Sequence, residues 1–181
     1  MTIRLTSTDF RGLLSRRFLN NFIPIPARCQ FQLGQELPQI ALQGADAQTY
    51  QLSSYRGQTV VLAFTRIFTE KQYCPFCYPH ILALNDAYGQ FAALGAELLM
   101  IVSTSVEQSK TVRKDLSLSM PLLIDPSCQS FRRYGTGQAL GAPLPAQFVI
   151  DAEGKLRFQH LFSFAHTNAT PARLLWAVRN L

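Results

Sequence analysis

The sequence predicts an α/β fold in which helices cover a central mixed sheet. Short apolar segments rich in β-branched and aromatic residues alternate with longer segments whose apolar residues recur at helical spacing. The strand, helix and strand between Thr59 and Ser103 form a parallel crossover unit, which places both strands in one sheet. With 181 residues, 48% hydrophobic and 15% charged, the chain has the size and composition of a folded domain.

The N-terminal residues 1–30 have the features of a basic amphipathic arm, ahead of a domain that we predict to span residues 31–181. Within residues 9–22, apolar side chains recur at helical spacing with arginine and asparagine between them, so we expect a short helix that ends before Pro24. Three roles stay open for this arm. It packs on its own domain, it contacts a membrane surface or a protein partner through residues 9–22, or it is a transit peptide, whose basic composition it shares.

The predicted elements of the domain follow one another at short intervals. A hairpin over residues 40–52 comes first, and a helical turn closed by Gly57 leads to a buried strand at 59–65. The helices that follow are predicted at 77–94, 106–116, 127–134 and 171–181, and the strands at 97–103, 122–124, 147–150 and 156–161. The hairpin is therefore expected to extend the N-terminal side of the sheet.

Charge and hydropathy exclude two classes of function. The chain carries 17 basic and 11 acidic residues, a formal net charge of +6. The basic residues are scattered, without a basic run or an aromatic-basic motif, so we expect no nucleic-acid binding. No apolar stretch approaches the ~20 residues that cross a bilayer, so we expect no membrane span.

The four cysteines, at 29, 74, 77 and 128, are too widely spaced for the disulfide framework of a small secreted protein. A single C-x-x-C between a strand and a helix is instead typical of redox or metal chemistry. We therefore expect a reducing compartment, such as the cytoplasm.

The segment Cys74-Pro75-Phe76-Cys77 is the candidate catalytic site. It lies where a core strand ends and a helix begins, and the free N–H groups and positive dipole of a helix N-terminus stabilise a thiolate. A proline is comfortable only in the first turn of a helix, so Pro79 favours a helix start near Cys77. Cys74 then precedes the helix, and we predict that it attacks while Cys77 resolves.

Other titratable residues have weaker claims to a role. Cys74, Cys77 and His80 form C-x-x-C-x-x-H, which could begin a zinc site, but no second C-x-x-C or paired histidine supplies a fourth ligand. We therefore predict no metal, and we expect His80 to be a surface residue or a modest tuner of the thiol pKa values. Cys128 is either a distant resolving cysteine or a small buried apolar residue.

Several motifs occur in the order typical of one known family. They are Gly34…Leu37-Pro38, the hairpin, Leu52-Ser53-Ser54-Tyr55-Arg56-Gly57, VVLAFTR, CPFC, Leu94-Gly95-Ala96-Glu97, Pro121-Leu122-Leu123-Ile124-Asp125-Pro126 and Pro145-Ala146-Gln147-Phe148-Val149-Ile150-Asp151. In these motifs the chain resembles the peroxiredoxin-like branch of the alkyl hydroperoxide reductase and thiol-specific antioxidant (AhpC/TSA) family. The resemblance covers about residues 33–181.

The resemblance implies a thioredoxin-like fold and the reduction of hydroperoxides or disulfides through cysteine. It also implies an external dithiol reductant, similar to thioredoxin, and no bound cofactor. Pro145 matches the cis-proline that faces the active-site cysteines in thioredoxin-like relatives, and Arg66 is a further supporting residue. The segment 66–73 is longer than the usual link from the strand to the C-x-x-C, and its role is open.

The sequence departs from the peroxidatic pattern of the family at two points. With Cys77 at the end of P-x-x-x-T-x-x-C, Glu70 replaces the proline and Cys74 the threonine. The usual late-strand arginine is missing, and Arg132 and Arg133 are the candidates to replace it. We therefore predict faster disulfide exchange than peroxide reduction. The alternative is a non-catalytic thioredoxin-fold module that binds a protein complex or a membrane surface.

Overall fold

The computed structural model describes residues 15–28 and 30–181. The strands are β1 (Ala41–Gly44), β2 (Thr49–Gln51), β3 (Thr59–Phe64), β4 (Ile67–Thr69), β5 (Gln72–Tyr73), β6 (Ala96–Val102), β7 (Leu122–Ile124), β8 (Gln138–Ala139), β9 (Ala142–Pro143), β10 (Ala146–Ile150) and β11 (Leu156–Leu161). The helices are α1 (Arg16–Asn20), α2 (Cys77–Ala93), α3 (Val106–Asp115), α4 (Gln129–Arg133) and α5 (Pro171–Arg179), and a 3₁₀ helix covers Leu52–Tyr55.

Seven of these strands form one mixed sheet in the order β11-β10-β3-β6-β7-β1-β2. Strands β3, β6 and β7 run parallel, and β10 and β11 add antiparallel strands beside β3. The β1–β2 hairpin joins the other edge through an antiparallel contact with β7. The predicted mixed sheet with an N-terminal hairpin extension is therefore confirmed.

Strand β3 is buried on both faces, which is why its sequence is apolar throughout. Val61 and Ala63 face a core cluster formed with α2, α3 and α5. Val60, Leu62 and Phe64 face a second cluster on the other side of the sheet, formed with α4. Because both faces are covered, β3 is a rigid central strand, and its carboxyl end is a fixed starting point for the candidate site.

Helix α2 begins at Cys77, as the sequence predicted. Pro79 lies in its first turn, where the missing N–H removes no intrahelical hydrogen bond. The helix ends at Ala93, and Gly95 follows with a φ of 71°, in the left-handed region that favours glycine. The helix is thus bounded by the residues from which its ends were predicted.

Two small hairpins were not predicted. Strands β4 and β5 pair antiparallel, with Ile67 opposite Tyr73, so the segment 66–73 is a hairpin between β3 and α2. Strands β8 and β9 form a second hairpin, with Gln138 opposite Pro143. Strands of two or three residues are too short to show an alternating pattern in the sequence, which is why both were missed.

The described part of the N-terminal arm lies against the domain. Ser15 is the N-cap residue of α1, and its hydroxyl oxygen accepts a hydrogen bond from the Phe18 N–H at 3.2 Å. The Phe18 ring occupies the space that a side chain on Gly141 would need, and Ile25 forms a β-bridge with Gln138. Residues 15–28 therefore pack on the domain, which is the first of the three predicted roles. The start of the predicted helix 9–22 lies outside the described residues.

The other two roles of the arm and the domain boundary after residue 30 stay predictions. Within residues 15–28 and 30–181, no helix is both long enough and apolar enough to cross a membrane.

Candidate active site

Cys74 and Cys77 lie on the turn that joins β5 to α2. The Cys74 carbonyl accepts hydrogen bonds from the N–H groups of Cys77, at 3.0 Å, and of Tyr78, at 2.9 Å. These bonds form the first turn of α2 around the two cysteines. Both thiols are free; Cys74 is 7% exposed and Cys77 is completely buried. Solvent and substrate therefore reach Cys74 before Cys77.

The two thiols have opposite pKa shifts. The Cys77 thiol donates a hydrogen bond to the Cys74 sulfur, and the backbone N–H groups of Phe76 and Cys77 donate to it as well. Together with the charge of Arg66, these donors outweigh burial and lower the pKa of Cys74 to about 6. The same hydrogen bond and the burial of Cys77 raise the pKa of Cys77. The ionised form is therefore favoured at Cys74 and the protonated form at Cys77.

Arg66 is the arginine beside the thiols. It is the second residue after β3, is buried, and donates from Nη2 to the carbonyls of Ala139 and Leu140 in the β8–β9 hairpin. Its guanidinium carbon lies 4.6 Å from the centroid of the Phe68 ring. The charge of Arg66 lowers the pKa of both cysteines, and its buried Nε has no hydrogen-bond partner within the described chain. The role of Arg66 as a supporting residue stays a prediction.

His80 is buried, so the expectation that it lies at the surface is wrong. It faces inward because it lies one helical turn after the buried Cys77. Its Nε2 is 2.8 Å from the Ala169 carbonyl oxygen, and burial lowers the pKa of His80 to about 4, so the ring is neutral at pH 7. In the part of the chain that the structure describes, no three His, Cys, Asp or Glu side chains are grouped to hold a metal ion.

An amide network centred on Gln147 was not predicted from the sequence. Gln147 is completely buried in β10; it donates from Nε2 to Asn168 Oδ1 at 3.0 Å and accepts from the Ala169 N–H at 2.8 Å. Asn168 donates in turn to the Phe76 carbonyl at 3.3 Å. The network connects the strand after Pro145 to the residue between the two cysteines. One polar residue in the otherwise apolar strand QFVI was the signal that could have revealed it.

The model of the AhpC/TSA family matches residues 33–159. The chain belongs to the AhpC/TSA family. It is 26% identical over 164 residues to the chloroplastic peroxiredoxin Q of Triticum aestivum, which covers 84% of this chain and 74% of that protein. It is 25% identical over 128 residues to the thiol-disulfide oxidoreductase ResA of Bacillus cereus, which covers 70% of this chain and 68% of that protein.

Among solved structures, peroxidoxin BcpB of Mycobacterium tuberculosis matches the fold with a TM-score of 0.70 at 19% identity, over 84% of this chain and 99% of that chain. The predicted thioredoxin-like fold and the resemblance to the AhpC/TSA family are therefore confirmed. Family membership and the names of the relatives support a thiol oxidoreductase as the general class of activity.

The predicted cis peptide bond before Pro145 is wrong. Every peptide bond between described residues is trans, although Pro145 is buried directly before β10 as the family pattern predicts. An X–Pro bond prefers trans by about 0.5–1 kcal/mol unless its surroundings enforce the cis form. The sequence motif gives the position of the proline but contains no contact that would enforce the isomer.

Cys128 lies in a different environment from the pair. It is the N-cap residue of α4, packed in the core cluster on the α4 side of the sheet, and its sulfur accepts a hydrogen bond from Asn21 Nδ2 at 3.7 Å. Burial and the nearby Asp125 raise the pKa of Cys128. Arg132 and Arg133 are exposed in α4. A resolving role for Cys128 stays a prediction, and Cys29 lies outside the described residues.

Proposed function

We propose that this AhpC/TSA protein is a thiol-disulfide oxidoreductase in which Cys74 attacks the substrate and Cys77 resolves the intermediate. The observation that carries the proposal is the asymmetry of the two thiols. Cys74 is the more exposed sulfur and has a pKa of about 6, whereas Cys77 is buried and protonated. A nucleophile with a pKa just below neutral pH is largely ionised and still reactive.

Disulfide reduction then takes two displacements. The Cys74 thiolate attacks one sulfur of the substrate, its S–S bond breaks, and the departing thiolate takes a proton from solvent. Cys77 loses its proton and attacks the Cys74 sulfur of the mixed disulfide, which forms the Cys74–Cys77 bond and releases the second substrate thiol. The substrate gains two electrons and two protons. An external dithiol, similar to thioredoxin, returns the pair to the reduced state.

Arg66 favours the first step because its charge stabilises the thiolate in a water-poor site. The same charge could stabilise the oxygen that leaves when Cys74 attacks a hydroperoxide, a reaction that gives a sulfenic acid and an alcohol or water. The Cys77 thiol would then condense with the sulfenic acid and release water. Since the chain lacks both the threonine and the late-strand arginine of the family's peroxidatic pattern, we expect this second reaction to be the slower one.

Stopped-flow assays of the reduced wild type with a small aromatic disulfide and with hydrogen peroxide test the proposal. We expect rapid disulfide cleavage, much slower peroxide consumption, and loss of both activities in Cys74→Ser. Cys77→Ser should stop after one turnover as a mixed disulfide that mass spectrometry detects. Cys128→Ser is the matched control and should behave as the wild type.

Two results would contradict the assignment. Fast peroxide turnover that survives Cys74→Ser but not Cys77→Ser would make Cys77 the attacking thiol and support a one-cysteine peroxidase. No reaction of the wild type in either assay would favour the non-catalytic binding module.

A further inference from the structure

Arg17 reaches from the N-terminal arm into the domain beside the site. Its Nη1 donates to the Ile67 carbonyl at 3.1 Å and to the Ser103 hydroxyl at 2.7 Å, and its Nη2 donates to the Phe68 carbonyl. The acceptors belong to β4 and to the residue that follows β6. A partly buried guanidinium costs free energy unless it is hydrogen-bonded, so these bonds define where the side chain lies.

The two carbonyls that Arg17 holds are those of the residues directly after Arg66. Strand β4 also pairs with β5, where Ile67 lies opposite Tyr73, the residue before Cys74. Arg17 is therefore connected to the site by two short routes. One runs along the backbone to Arg66, and the other crosses the hairpin to Cys74.

The hairpin is small, although core packing also holds it: Ile67 is buried in the core cluster, and Tyr73 packs against that cluster. Strands β4 and β5 contain three and two residues and form a two-stranded sheet apart from the central one. An isolated two-stranded hairpin is only marginally stable, so a hairpin of this size depends on contacts from outside. The Arg17 guanidinium provides such contacts on the β4 side.

We propose that Arg17 is a positioning residue of the thiol site, which holds β4 in place and so fixes Arg66 and the turn that begins at Cys74. The N-terminal arm then belongs to the active site and does more than cover the domain. The inference rests on the proposed function, because it assigns Arg17 a role in the reaction of Cys74.

The charged groups near Arg17 indicate in which direction the pKa of Cys74 should shift when Arg17 is replaced. Its guanidinium interacts electrostatically with Arg66 and with Cys128. Without Arg17, a less well held Arg66 stabilises the Cys74 thiolate less. This change raises the pKa of Cys74 and lowers its reactivity at mildly acidic pH.

The test uses the full chain and measures the alkylation rate of Cys74 between pH 4.5 and 8 in Arg17→Gln, Arg17→Lys and the control Arg16→Gln. Arg16 is the exposed neighbour on the same helix. We expect alkylation at pH 5 to slow by about threefold in both Arg17 variants, corresponding to a pKa increase of about half a unit, and to stay unchanged in Arg16→Gln. Hydrogen exchange in residues 67–73 should accelerate in the Arg17 variants alone.

If Cys74 were alkylated in Arg17→Gln at the wild-type rate, or if the rate changed equally in Arg16→Gln, the positioning role would be overturned and the proposed function would remain intact. Full recovery in Arg17→Lys would show that the charge alone matters and would also overturn it. If Arg17→Gln does not fold, Ser103→Ala decides, since it removes one acceptor; an unchanged Cys74 profile there counts against the proposal. A wild type without a fast-reacting Cys74 would overturn both proposals.

Discussion

Cys74 and Cys128 both lie at the start of a helix, yet their pKa values shift in opposite directions. Cys74 precedes α2, a helix of 17 residues, and its pKa is lowered to about 6. Cys128 is the N-cap of α4, a helix of five residues, and its pKa is raised. The helix N-terminus is therefore not what separates them.

The difference lies in which group accepts hydrogen bonds from the free N–H groups of each helix. At α4 the Asp125 carboxylate accepts hydrogen bonds from the N–H groups of Gln129, at 3.2 Å, and Ser130, at 2.7 Å. The donors are already paired with a negative charge, and that charge also opposes a thiolate at Cys128. At α2 no side chain caps the helix, and the Cys74 sulfur itself receives donors from Phe76 and Cys77.

In this chain, the thiol with the lowered pKa is the one at a helix start where no carboxylate binds the N–H groups and where further groups stabilise the thiolate. For Cys74 these further groups are the Cys77 thiol and Arg66. The predictions that follow test each part of this explanation.

The largest expected effect is in the alkylation rate of the two cysteines in the folded wild type. At pH 7 a thiol with a pKa near 6 is mostly ionised, whereas a buried thiol with a raised pKa is almost entirely protonated, so Cys74 should react at least about a hundredfold faster than Cys128. Iodoacetamide labelling followed by peptide mass spectrometry measures both rates in one sample. Equal rates would remove the basis of the comparison.

The next effect concerns Arg66. Arg66→Gln should raise the pKa of Cys74 by about one unit, because the substitution removes a charge from a water-poor site. The rate of disulfide cleavage should rise with pH, with a midpoint near pH 6 in the wild type and about one pH unit higher in the variant. At pH 5 the variant should be about tenfold less active. Arg133→Gln removes an exposed arginine of α4 and is the control. An unchanged profile in Arg66→Gln would leave hydrogen bonding as the whole cause of the low pKa.

The main elements were predictable because their signals are long or local. Strand β3 is an unbroken apolar run, and the start of α2 follows from Pro79 and the C-x-x-C before it. The greater exposure of Cys74 also followed from that start, since the residue before the helix is the one nearer to solvent.

The surroundings of the thiols were less predictable, because they depend on contacts between distant parts of the chain. Arg17 contacts residues about 50 and 86 positions away, and Gln147 bonds to residues more than 20 positions away. The burial of His80 was not predicted, and its partner, the Ala169 carbonyl, is 89 positions away along the chain. A buried polar residue is recognisable in a sequence, but its partner is not.

A smaller effect is expected from the amide network. Asn168→Ala removes the donor to the Phe76 carbonyl and leaves the Nε2 group of Gln147 without its acceptor. The substitution should therefore destabilise the protein by about 1–2 kcal/mol. The resolving step should also slow by about two- to fivefold, because the turn between the cysteines is less well held. Urea unfolding and single-turnover kinetics measure the two effects. Asn180→Ala, which removes an amide that bonds only near the end of α5, is the matched control, and an equal loss of rate there would count against a role for the network.

The smallest effect is expected from Asp125→Asn, which tests whether the carboxylate or burial keeps Cys128 inactive. The substitution removes the negative charge, which lowers the pKa of Cys128, but burial is the larger cause of the raised pKa and it remains. We therefore expect Cys128 to be labelled only about threefold faster at pH 8, corresponding to a pKa change of about half a unit.

The control for Asp125→Asn must separate charge from stability. The new amide cannot accept hydrogen bonds at both positions of the carboxylate, so α4 should lose about 1 kcal/mol of stabilisation at its start. Ser127→Ala removes a 2.6 Å hydrogen bond to the same carboxylate but keeps its charge, so faster labelling there would indicate opening of the helix and not a change in pKa. If Asp125→Asn alone made Cys128 as reactive as Cys74, the carboxylate would be the main difference between the two helix starts. If the labelling rate of Cys128 changes only slightly, two other causes explain most of the difference between the cysteines: the burial of Cys128 and the hydrogen-bond donors to Cys74.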